Sequence, residues 1–528
     1  MTKLQTALQE NYWETLEITE EDLEFLYNQL LEIETPQTST ELAEILINER
    51  IRQEIILLKN HQLKAGTTYF PKDKHKIGDI LRFPKLELME GQVIGVRKGR
   101  NPEYSLFDVL EVDFGSGVVR NFAAGIEDHI LNNAIELPND DPSLEPGTVS
   151  RKYRDSIAAR LTKKFTTVPD LVQIAGAWFP RSLLVDVNIG FLNLAEAALE
   201  VETGGPLSTK SILEQIDLPT DVNLKLTEFS MNLALQEDGR FDEVGPTGET
   251  LWFLKRFEPD EVQNPPLYLR YTPLKIEVSP SEADLSALNC LVFDELEAEG
   301  DLPSKQNEIT VSLNFPHWRS GSIPLSRSIA RLFPTAYEAP KVKFTFIDEV
   351  TQKEYSGWVV RAHRYVVGLK EWYEEKGMIP GSLFTIKQGK IPGKVVIQAL
   401  TKRTTKEWIR TVLIGTDGGI VFTMLKQQIS NEYDERMAIA IPDIKSLDAL
   451  WEQPSQKRST LELSIMNMMR ELVKLSSQGH VHAQELYAAV NIIRRCPPRI
   501  ILGVLGNQPN VIHLGDLYFR LNDQGGEV

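Results

Sequence analysis

The sequence has few cysteines and no long apolar run, and we expect no secretory leader. Its 528 residues include two cysteines, Cys290 and Cys496. Two distant cysteines are typical of buried thiols in a reducing cytosol, and a disulfide between them is the minor alternative. No stretch approaches the roughly 18 apolar residues of a membrane-spanning helix, and no basic start followed by an apolar run opens the chain. We therefore expect a cytoplasmic protein with no membrane segment.

Motifs of catalysis and of metal binding are also missing. The chain contains no GxxxxGK[ST], GxSxG, HExxH or paired CxxC pattern. His480 and His482 have a metal-like spacing, but no Cys or His lies near them, so we expect a loop or helix-capping role. The sequence therefore predicts a protein that is not an enzyme, with no cofactor, no metal and no catalytic residue.

Acidic residues outnumber basic ones, and the formal net charge of −18 argues against a protein coated in nucleic acid. The charge is uneven, however. Residues 319–410 contain 17 Lys and Arg against 8 Asp and Glu, whereas residues 1–60 contain 4 against 13. Such a basic region is suited to phosphate contact, or it packs against acidic neighbours in the same chain.

The basic region overlaps residues 308–398, where alternating apolar residues predict five or more short strands interrupted by two helices. Its sequence resembles the plant-type B3 DNA-binding domain, a pseudobarrel. The resemblance rests on the order and spacing of these segments: Ile323-Pro324-Leu325-Ser326, Ile329-Ala330, Leu332-Phe333-Pro334, Gly357-Trp358-Val359-Val360-Arg361, Tyr365-Val366-Val367, Leu369-Lys370-Glu371-Trp372-Tyr373 and Gly381-Ser382-Leu383-Phe384. Gly381-Ser382 departs from the family's usual Gly-Asp.

The resemblance implies that two arms hold the DNA major groove. Carried onto this chain, the DNA-binding residues of the first arm are His317, Trp318, Arg319, Ser320 and Arg327, and those of the second are Arg361, His363 and Arg364. Arginine pairs with guanine edges, and Ser and His suit phosphates. Ion pairing on the face of the strand is the alternative role of Arg361 and Arg364.

Two further segments have the helix order of winged-helix domains, similar to the HARE-type helix-turn-helix and to the globular part of the RNA polymerase delta subunit. In residues 184–257 the third helix is poor in basic residues and has Asn223 and Asn232 as its main candidates for base readout, which favours protein contact. In residues 459–523 the third helix begins with Arg494, Arg495 and Arg499, which we predict to bind DNA.

A basic stretch from Ser150 to Phe165 has Tyr153, Ile157 and Leu161 at helical spacing. Its basic side chains either contact phosphates or belong to a solvated helix beside acidic neighbours. Upstream, residues 68–134 resemble an SH3-like barrel of the KOW or Tudor kind in outline, and residues 1–65 form helices that we interpret as a packing or dimerisation element.

The predicted fold class is therefore multidomain α+β, with a helical N-terminus, a small SH3-like β-barrel, two winged-helix domains and a central B3-like pseudobarrel. The predicted segments are acidic helices (1–65), an SH3-like barrel (68–134), a basic helix and connector (149–183), a winged helix (184–257), a connector (258–307), a pseudobarrel with a β extension (308–442) and a winged helix (459–523).

These predictions lead to two functional hypotheses. The first is a DNA-binding protein, either a transcriptional regulator or a specificity subunit, which reads double-stranded DNA mainly through the pseudobarrel. The alternative is a protein–protein interaction scaffold, associated with transcription, whose acidic N-terminal helices and first winged helix bind proteins.

Overall fold

The computed structural model describes residues 10–63, 67–83, 86, 89–101, 106–115, 118–132, 144–216, 218, 221–273, 280–297, 307–336, 339–415, 419–453 and 459–522. The chain divides into two compact units. The first contains Met1–Leu184 and Val222–Leu226, and the second contains Val185–Asp221 and Thr227–Val528. The fold is α+β, as predicted, with helices and several separate sheets in the described residues.

The first unit contains two long helices and two small sheets. Its elements are α1 (Glu10–Thr15), α2 (Glu20–Ile33), β1 (Gln37–Thr38), α3 (Ser39–Leu63), β2 (Thr67–Thr68), β3 (Ile80–Phe83), β4 (Met89–Lys98), β5 (Asp108–Asp113), β6 (Val119–Ala124), α4 (Pro146–Phe165), β7 (Leu171–Ile174) and β8 (Ala177–Pro180). The strand orders are β2-β3-β4-β5-β6 and β1-β8-β7.

Local sequence explains where the helices of this unit begin. The sequence predicts Thr19 as an N-cap, and the structure confirms it. The hydroxyl of Thr19 accepts from the amide of Asp22, and the carboxylate of Asp22 accepts from the amide of Thr19, so a capping box opens α2. Pro146 stands in the first turn of α4, where its missing N–H costs nothing. Helix α4 buries the predicted stripe, which includes Tyr153 and Ile157.

The large sheet of the second unit lies in the chain between two groups of helices. Its first elements are α5 (Ile189–Val201), β9 (Leu207–Ser208), α6 (Thr209–Ile216), α7 (Leu224–Glu237), β10 (Phe241–Glu243), β11 (Leu251–Leu254), α8 (Asp260–Gln263) and α9 (Glu282–Val292). Strands β9 to β11 form a sheet in the order β10-β11-β9.

The middle of this unit contains β12 (Glu308–Ser312), α10 (Phe315–Ser320), β13 (Ser322–Pro324), α11 (Arg327–Ala330), β14 (Lys341–Asp348), β15 (Glu354–Val360), β16 (Tyr365–Val367), α12 (Lys370–Glu375), β17 (Leu383–Gln388), β18 (Lys394–Ala399), β19 (Thr401–Ile414) and β20 (Ile420–Asn431). The last elements are α13 (Ile444–Trp451), α14 (Leu461–Val473), β21 (His480–His482), α15 (Ala483–Ile493), α16 (Pro498–Asn507), β22 (Val511–Gly515) and β23 (Tyr518–Leu521).

Strands β12 to β18 form one curled sheet of seven strands in the order β12-β17-β18-β14-β15-β16-β13. Strands β14 and β18 are parallel, and the other neighbours are antiparallel. Every second residue of β14 is buried, including Val342, Phe344 and Phe346, as expected for a strand with one face on the core. Trp372 and Tyr373 of α12 are buried in the same core.

Two element predictions in the connector are wrong. The strand predicted at Leu267–Tyr271 is a single 3₁₀ turn, Leu267–Leu269, which follows Pro265 and Pro266. The helix predicted from Ser281 to Glu299 ends at Val292, because Phe293 adopts a left-handed conformation (φ 52°) and its amide returns to the carbonyl of Asn289.

The same order of elements occurs three times: a helix, a short strand, two helices and a hairpin. We call these the first module (α2, β1, α3, α4, β7, β8), the second module (α5, β9, α6, α7, β10, β11) and the third module (α14, β21, α15, α16, β22, β23). In each, the short strand pairs with the last strand of the hairpin. The sequence predicted the second and third modules. The first was missed because the five-stranded sheet is inserted between its second and third helices.

The three modules match in register as well as in order. The residue two positions before the start of each second helix pairs with an aromatic residue: Gln37 with Trp178, Leu207 with Trp252 and Val481 with Phe519. In two modules the indole N–H donates to a hydroxyl at the helix start, Trp178 to Ser39 (2.9 Å) and Trp252 to Thr209 (3.1 Å). The third module has Ala483 and Phe519 at these positions, so the donor and the acceptor are replaced together.

We expect Thr209 and Trp252 to be energetically coupled, because they are buried and share a hydrogen bond. Thr209→Ala and Trp252→Phe each lower the local stability of α6, and the double variant loses less than the sum by about 1 kcal/mol. Native-state hydrogen exchange of α6 measures all three. Phe241→Leu, which alters the same core without this hydrogen bond, is the control partner and should be additive with Thr209→Ala. Additivity in both pairs would contradict the coupling.

Candidate nucleic-acid interface

Two of the predicted DNA-binding residues lie in the interior of the second unit. His317 is fully buried, with Nδ1 2.8 Å from the Ser322 hydroxyl and Nε2 3.0 Å from a carboxylate oxygen of Glu295. Arg495 is also buried, and its guanidinium contacts Asp294 at 2.7 and 2.9 Å and Glu295 at 2.8 Å. Neither side chain can touch DNA in this conformation, so the prediction for both is wrong.

We call Asp294, Glu295, His317 and Arg495 the buried ion cluster. Burial alone would raise the pKa of Glu295, but Arg495 and His317 outweigh it and hold that pKa well below its usual range. Burial alone would lower the pKa of Arg495, but the two carboxylates hold it well above its usual value. The basic residues of this cluster therefore serve internal pairing.

Other predicted contacts are also occupied within the protein. Arg319 makes two hydrogen bonds to Asp448, at 2.7 and 3.1 Å, and the indole N–H of Trp318 donates to a backbone carbonyl. Arg494 donates to the carbonyl of Ser459. Arg499 lies 3.5 Å from a carboxylate oxygen of Glu297 and 3.3 Å from one of Glu282. Ser320 differs from these residues, because its hydroxyl is buried but has no hydrogen-bond partner among the described residues.

The loop after β15 leaves the remaining predicted residues at the surface. His363 and Arg364 are exposed, as is Arg327 of α11. Arg361 is half-buried beside the carbonyl of Pro334, and this burial lowers the pKa of its guanidinium. The loop borders a cavity of about 480 Å³, which Arg270 and Arg364 also line. This loop is the part of the predicted interface that stays accessible.

A basic surface lies on α4, the third helix of the first module. For this stretch the sequence left two roles open, phosphate contact and a solvated helix. The side chains of Lys152, Ser156, Ala159 and Lys163 are exposed and follow one another at helical spacing, and Arg151 is exposed beside them. Two cations thus flank two short side chains on one face of the helix. We call these five residues the α4 face.

The one acidic residue next to the α4 face is partly neutralised, since Asp155 lies 3.3 Å from the guanidinium of Arg154. Arg154 also pairs with Glu44 of α3 at 2.9 Å, and Arg160 donates to the carbonyls of Glu14 and Leu16. These two arginines therefore fix the helix in its module, and Arg151 and Lys163 have no hydrogen-bond or ion-pair partner among the residues that the structure describes. The sequence showed the basic stretch, but it did not show that this helix is the third helix of a module.

The third helices of the other two modules offer no such face. Seven of the eight residues of α16 from Pro498 to Leu505 are buried, all except Arg499, and the helix packs against α9. In α7 the side chain of Asn232, a candidate base reader, accepts from the Trp252 indole at 2.9 Å. Asn223, the other candidate, donates to the carbonyl of Glu34.

Comparison with known proteins adds no name to this geometry: no family model, curated protein or solved structure matches the chain. Within the described residues, no helix is long and apolar enough to cross a membrane. No group of three or more His, Cys, Asp or Glu side chains in the same residues is arranged to hold a metal ion.

Removing the cation of the buried ion cluster should destabilise the second unit. Arg495→Met leaves two buried carboxylates short of a partner, and we expect a loss of about 3–5 kcal/mol. Arg494→Met, which removes one bond to a carbonyl from a half-buried neighbour, should cost under about 1 kcal/mol. Calorimetric unfolding of both variants measures the difference, and equal midpoints would contradict the role assigned to the cluster.

His482 confirms the predicted capping role, because its Nδ1 accepts from the amide of Gln484 at the start of α15. Burial, and then the charge of Arg436, lowers the pKa of this histidine to about 4. The unfolded chain takes up the proton near pH 6.5, so the third module should lose stability as the pH falls from about 6.5 to 4.

His482→Asn keeps a capping acceptor that does not titrate. It should flatten this pH dependence, which hydrogen exchange of α15 at pH 7 and pH 5 measures after correction for the intrinsic exchange rate. His513→Asn, at a more exposed histidine, is the control and should leave the dependence unchanged. A variant at His482 with the wild-type pH dependence would contradict the assignment.

Proposed function

We propose that this protein is a non-enzymatic, cytoplasmic DNA-binding protein, acting as a transcriptional regulator or as a specificity subunit. In this proposal the three modules are winged-helix domains, the five-stranded sheet is an SH3-like barrel and the seven-stranded sheet is a B3-like pseudobarrel. Double-stranded DNA is the partner. The proposal places the main contact on the α4 face, and it keeps the loop of Arg361, His363 and Arg364 as a second contact.

The observation that carries the proposal is the position of α4 as a third helix with an open basic face. In DNA-binding domains of the helix-turn-helix kind, the recognition helix lies in the major groove and presents its side chains to base edges. The exposed residues from Arg151 to Lys163 span about 18 Å at 1.5 Å per residue. Lysine and arginine at the two ends suit phosphates, and Ser156 and Ala159 between them allow close approach to the bases.

The pseudobarrel loop supports the same partner by its chemistry. Arg364 donates to the carbonyl of Glu295 at 3.4 Å, and Arg270 donates to that of Pro265 at 2.9 Å. Neither guanidinium pairs with a carboxylate among the described residues, so both keep their charge for an anion. His363 lies beside Tyr365 with nearly parallel rings. A phosphate backbone that follows this loop would meet two cations.

The test is DNA binding of the purified full chain to a mixed-sequence 20-base-pair duplex at about 50 and 200 mM salt. The α4 variant Arg151→Ala/Lys152→Ala/Lys163→Ala should weaken binding at least tenfold. It should also lower the slope of log affinity against log salt by about 2 to 3, since each phosphate contact contributes about 0.9.

The matched control is Lys210→Ala/Lys225→Ala/Lys390→Ala, which removes three exposed charges from elsewhere and should bind within about twofold of wild type once its more negative net charge is allowed for. A greater loss in Arg361→Ala/Arg364→Ala than in the α4 variant would move the main contact to the pseudobarrel. The absence of salt-dependent binding to any duplex would overturn the proposal.

The third helices of the second and third modules are largely buried, which favours the alternative hypothesis of a protein–protein interaction scaffold for this part of the chain. Helices α7 and α16 occupy the position of a reading helix, yet most of their side chains are buried within the second unit. We propose that the second and third modules serve as a scaffold for packing and for protein contact. If these two modules do not contact DNA, the variant Lys225→Ala/Arg499→Ala should bind the 20-base-pair duplex with wild-type affinity.

A further inference from the structure

The hairpin of β19 and β20 is a two-stranded sheet that is held on opposite faces at different points along its length. Near its turn, Val412 and Phe422 face each other across the strands and are buried in the core of the third module. Nearer its base, Ile409 and Ile429 point to the other face and are buried against Ala438. The hairpin is therefore fixed in place, and the face opposite Ile409 is open at the base.

Four side chains make up this open face, which we call the ribbon face: Lys406, Trp408, Lys426 and Gln428. They form two directly opposed pairs, Lys406 with Gln428 and Trp408 with Lys426. Because neighbouring pairs on a face are two residues apart, they lie about 7 Å from each other along the strands. All four side chains are exposed.

The exposure of Trp408 is unusual for this chain. Its side chain is 60% exposed, whereas six of the other seven tryptophans are buried and Trp318 is half-buried. The ammonium of Lys426 lies 5.4 Å from its ring centroid, which restricts the indole by a cation–π contact and leaves the rest of the ring to solvent. A tryptophan restricted at the surface in this way offers a flat aromatic face to a ligand.

The charge of the ribbon face is positive and is not cancelled by its own strands. Glu407 points to the opposite face and accepts from Lys402, Thr405 and Tyr433. The hydrogen bond from the Lys402 ammonium has the largest effect, and together with those from Thr405 and Tyr433 it lowers the pKa of Glu407 to about 2. Lys406 and Lys426 have no ion-pair partner among the residues that the structure describes.

We infer that the ribbon face binds single-stranded nucleic acid. Lys406 and Lys426 contact the phosphates, and the Trp408 indole stacks on an unpaired base. The Gln428 amide forms a hydrogen bond with a base edge. Stacking on an aromatic side chain is how sequence-tolerant single-strand binding works, because every base has a flat face. A duplex keeps its base faces stacked inside, so the exposed indole favours the single strand. The inference does not depend on the α4 face, which lies in the first unit.

The first step of the test is a titration of the full chain with a 12-nucleotide oligothymidylate at about 50 mM salt. Binding should quench the tryptophan emission that arises from solvent-exposed indole, because Trp408 is the most exposed tryptophan. Anisotropy of a labelled oligonucleotide gives the affinity of every variant. Trp408→Ala should weaken binding about 5- to 100-fold, and Lys406→Ala/Lys426→Ala should weaken it at least tenfold and lower the salt slope by about 1.4.

Lys390→Ala/Lys445→Ala, two exposed lysines outside the hairpin, is the matched control and should bind within about twofold of wild type. The α4 variant should retain full affinity for the oligothymidylate, which separates this inference from the proposed function. Equal affinities of wild type and both ribbon variants would overturn the inference. So would tight binding of a polyglutamate peptide at the ribbon face with no binding of oligothymidylate, since that result would identify an acidic protein as the partner.

Discussion

The buried ion cluster is the constraint on which the second unit depends. Arg495 lies about 200 positions along the chain from Asp294 and Glu295, and its pairing with them fixes the end of α9 against the third module. His317 attaches α10 to Glu295, and Tyr487 donates to Asp294 at 2.7 Å. Taking these charges out of water costs several kcal/mol for each ion, so they are tolerated only because each has its partner. The cluster therefore specifies one arrangement of connector, seven-stranded sheet and third module.

That arrangement decides which helices remain available for a ligand. Helix α16 is covered because the connector that carries Asp294 also brings α9 against it. Helix α7 is covered because its side chains complete the polar core around Trp252. In the first module, by contrast, α4 packs on α3 and α1 and buries one stripe of its side chains, and the residues of the α4 face stay exposed. One architecture is thus repeated three times, with one third helix left open.

Local patterns in the sequence were sufficient for most elements of the fold. The N-cap at Thr19, the strand at Ile80–Phe83 and the helices of the second and third modules were predicted from capping residues, periodicity and turn residues. The first module was missed because more than 80 residues separate the end of α3 from the start of α4, and no local signal joins them. The burial of Arg495 could not be predicted either. An arginine at the start of a helix has the same local sequence whether it contacts DNA or pairs with buried carboxylates far away in the chain.

The net charge of −18 does not decide against nucleic-acid binding at these surfaces. Charges interact strongly within about 10 Å at 0.1 M salt and are screened beyond that distance, so a ligand senses the charges near its own contact. Helix α4 is about 30 Å long, and Arg151 and Lys163 lie near opposite ends of its exposed face. The acidic residues beside it are held by Arg154, and Glu407 on the hairpin is held by Lys402. Local pairing of acids therefore leaves basic surfaces on a protein whose overall charge is negative.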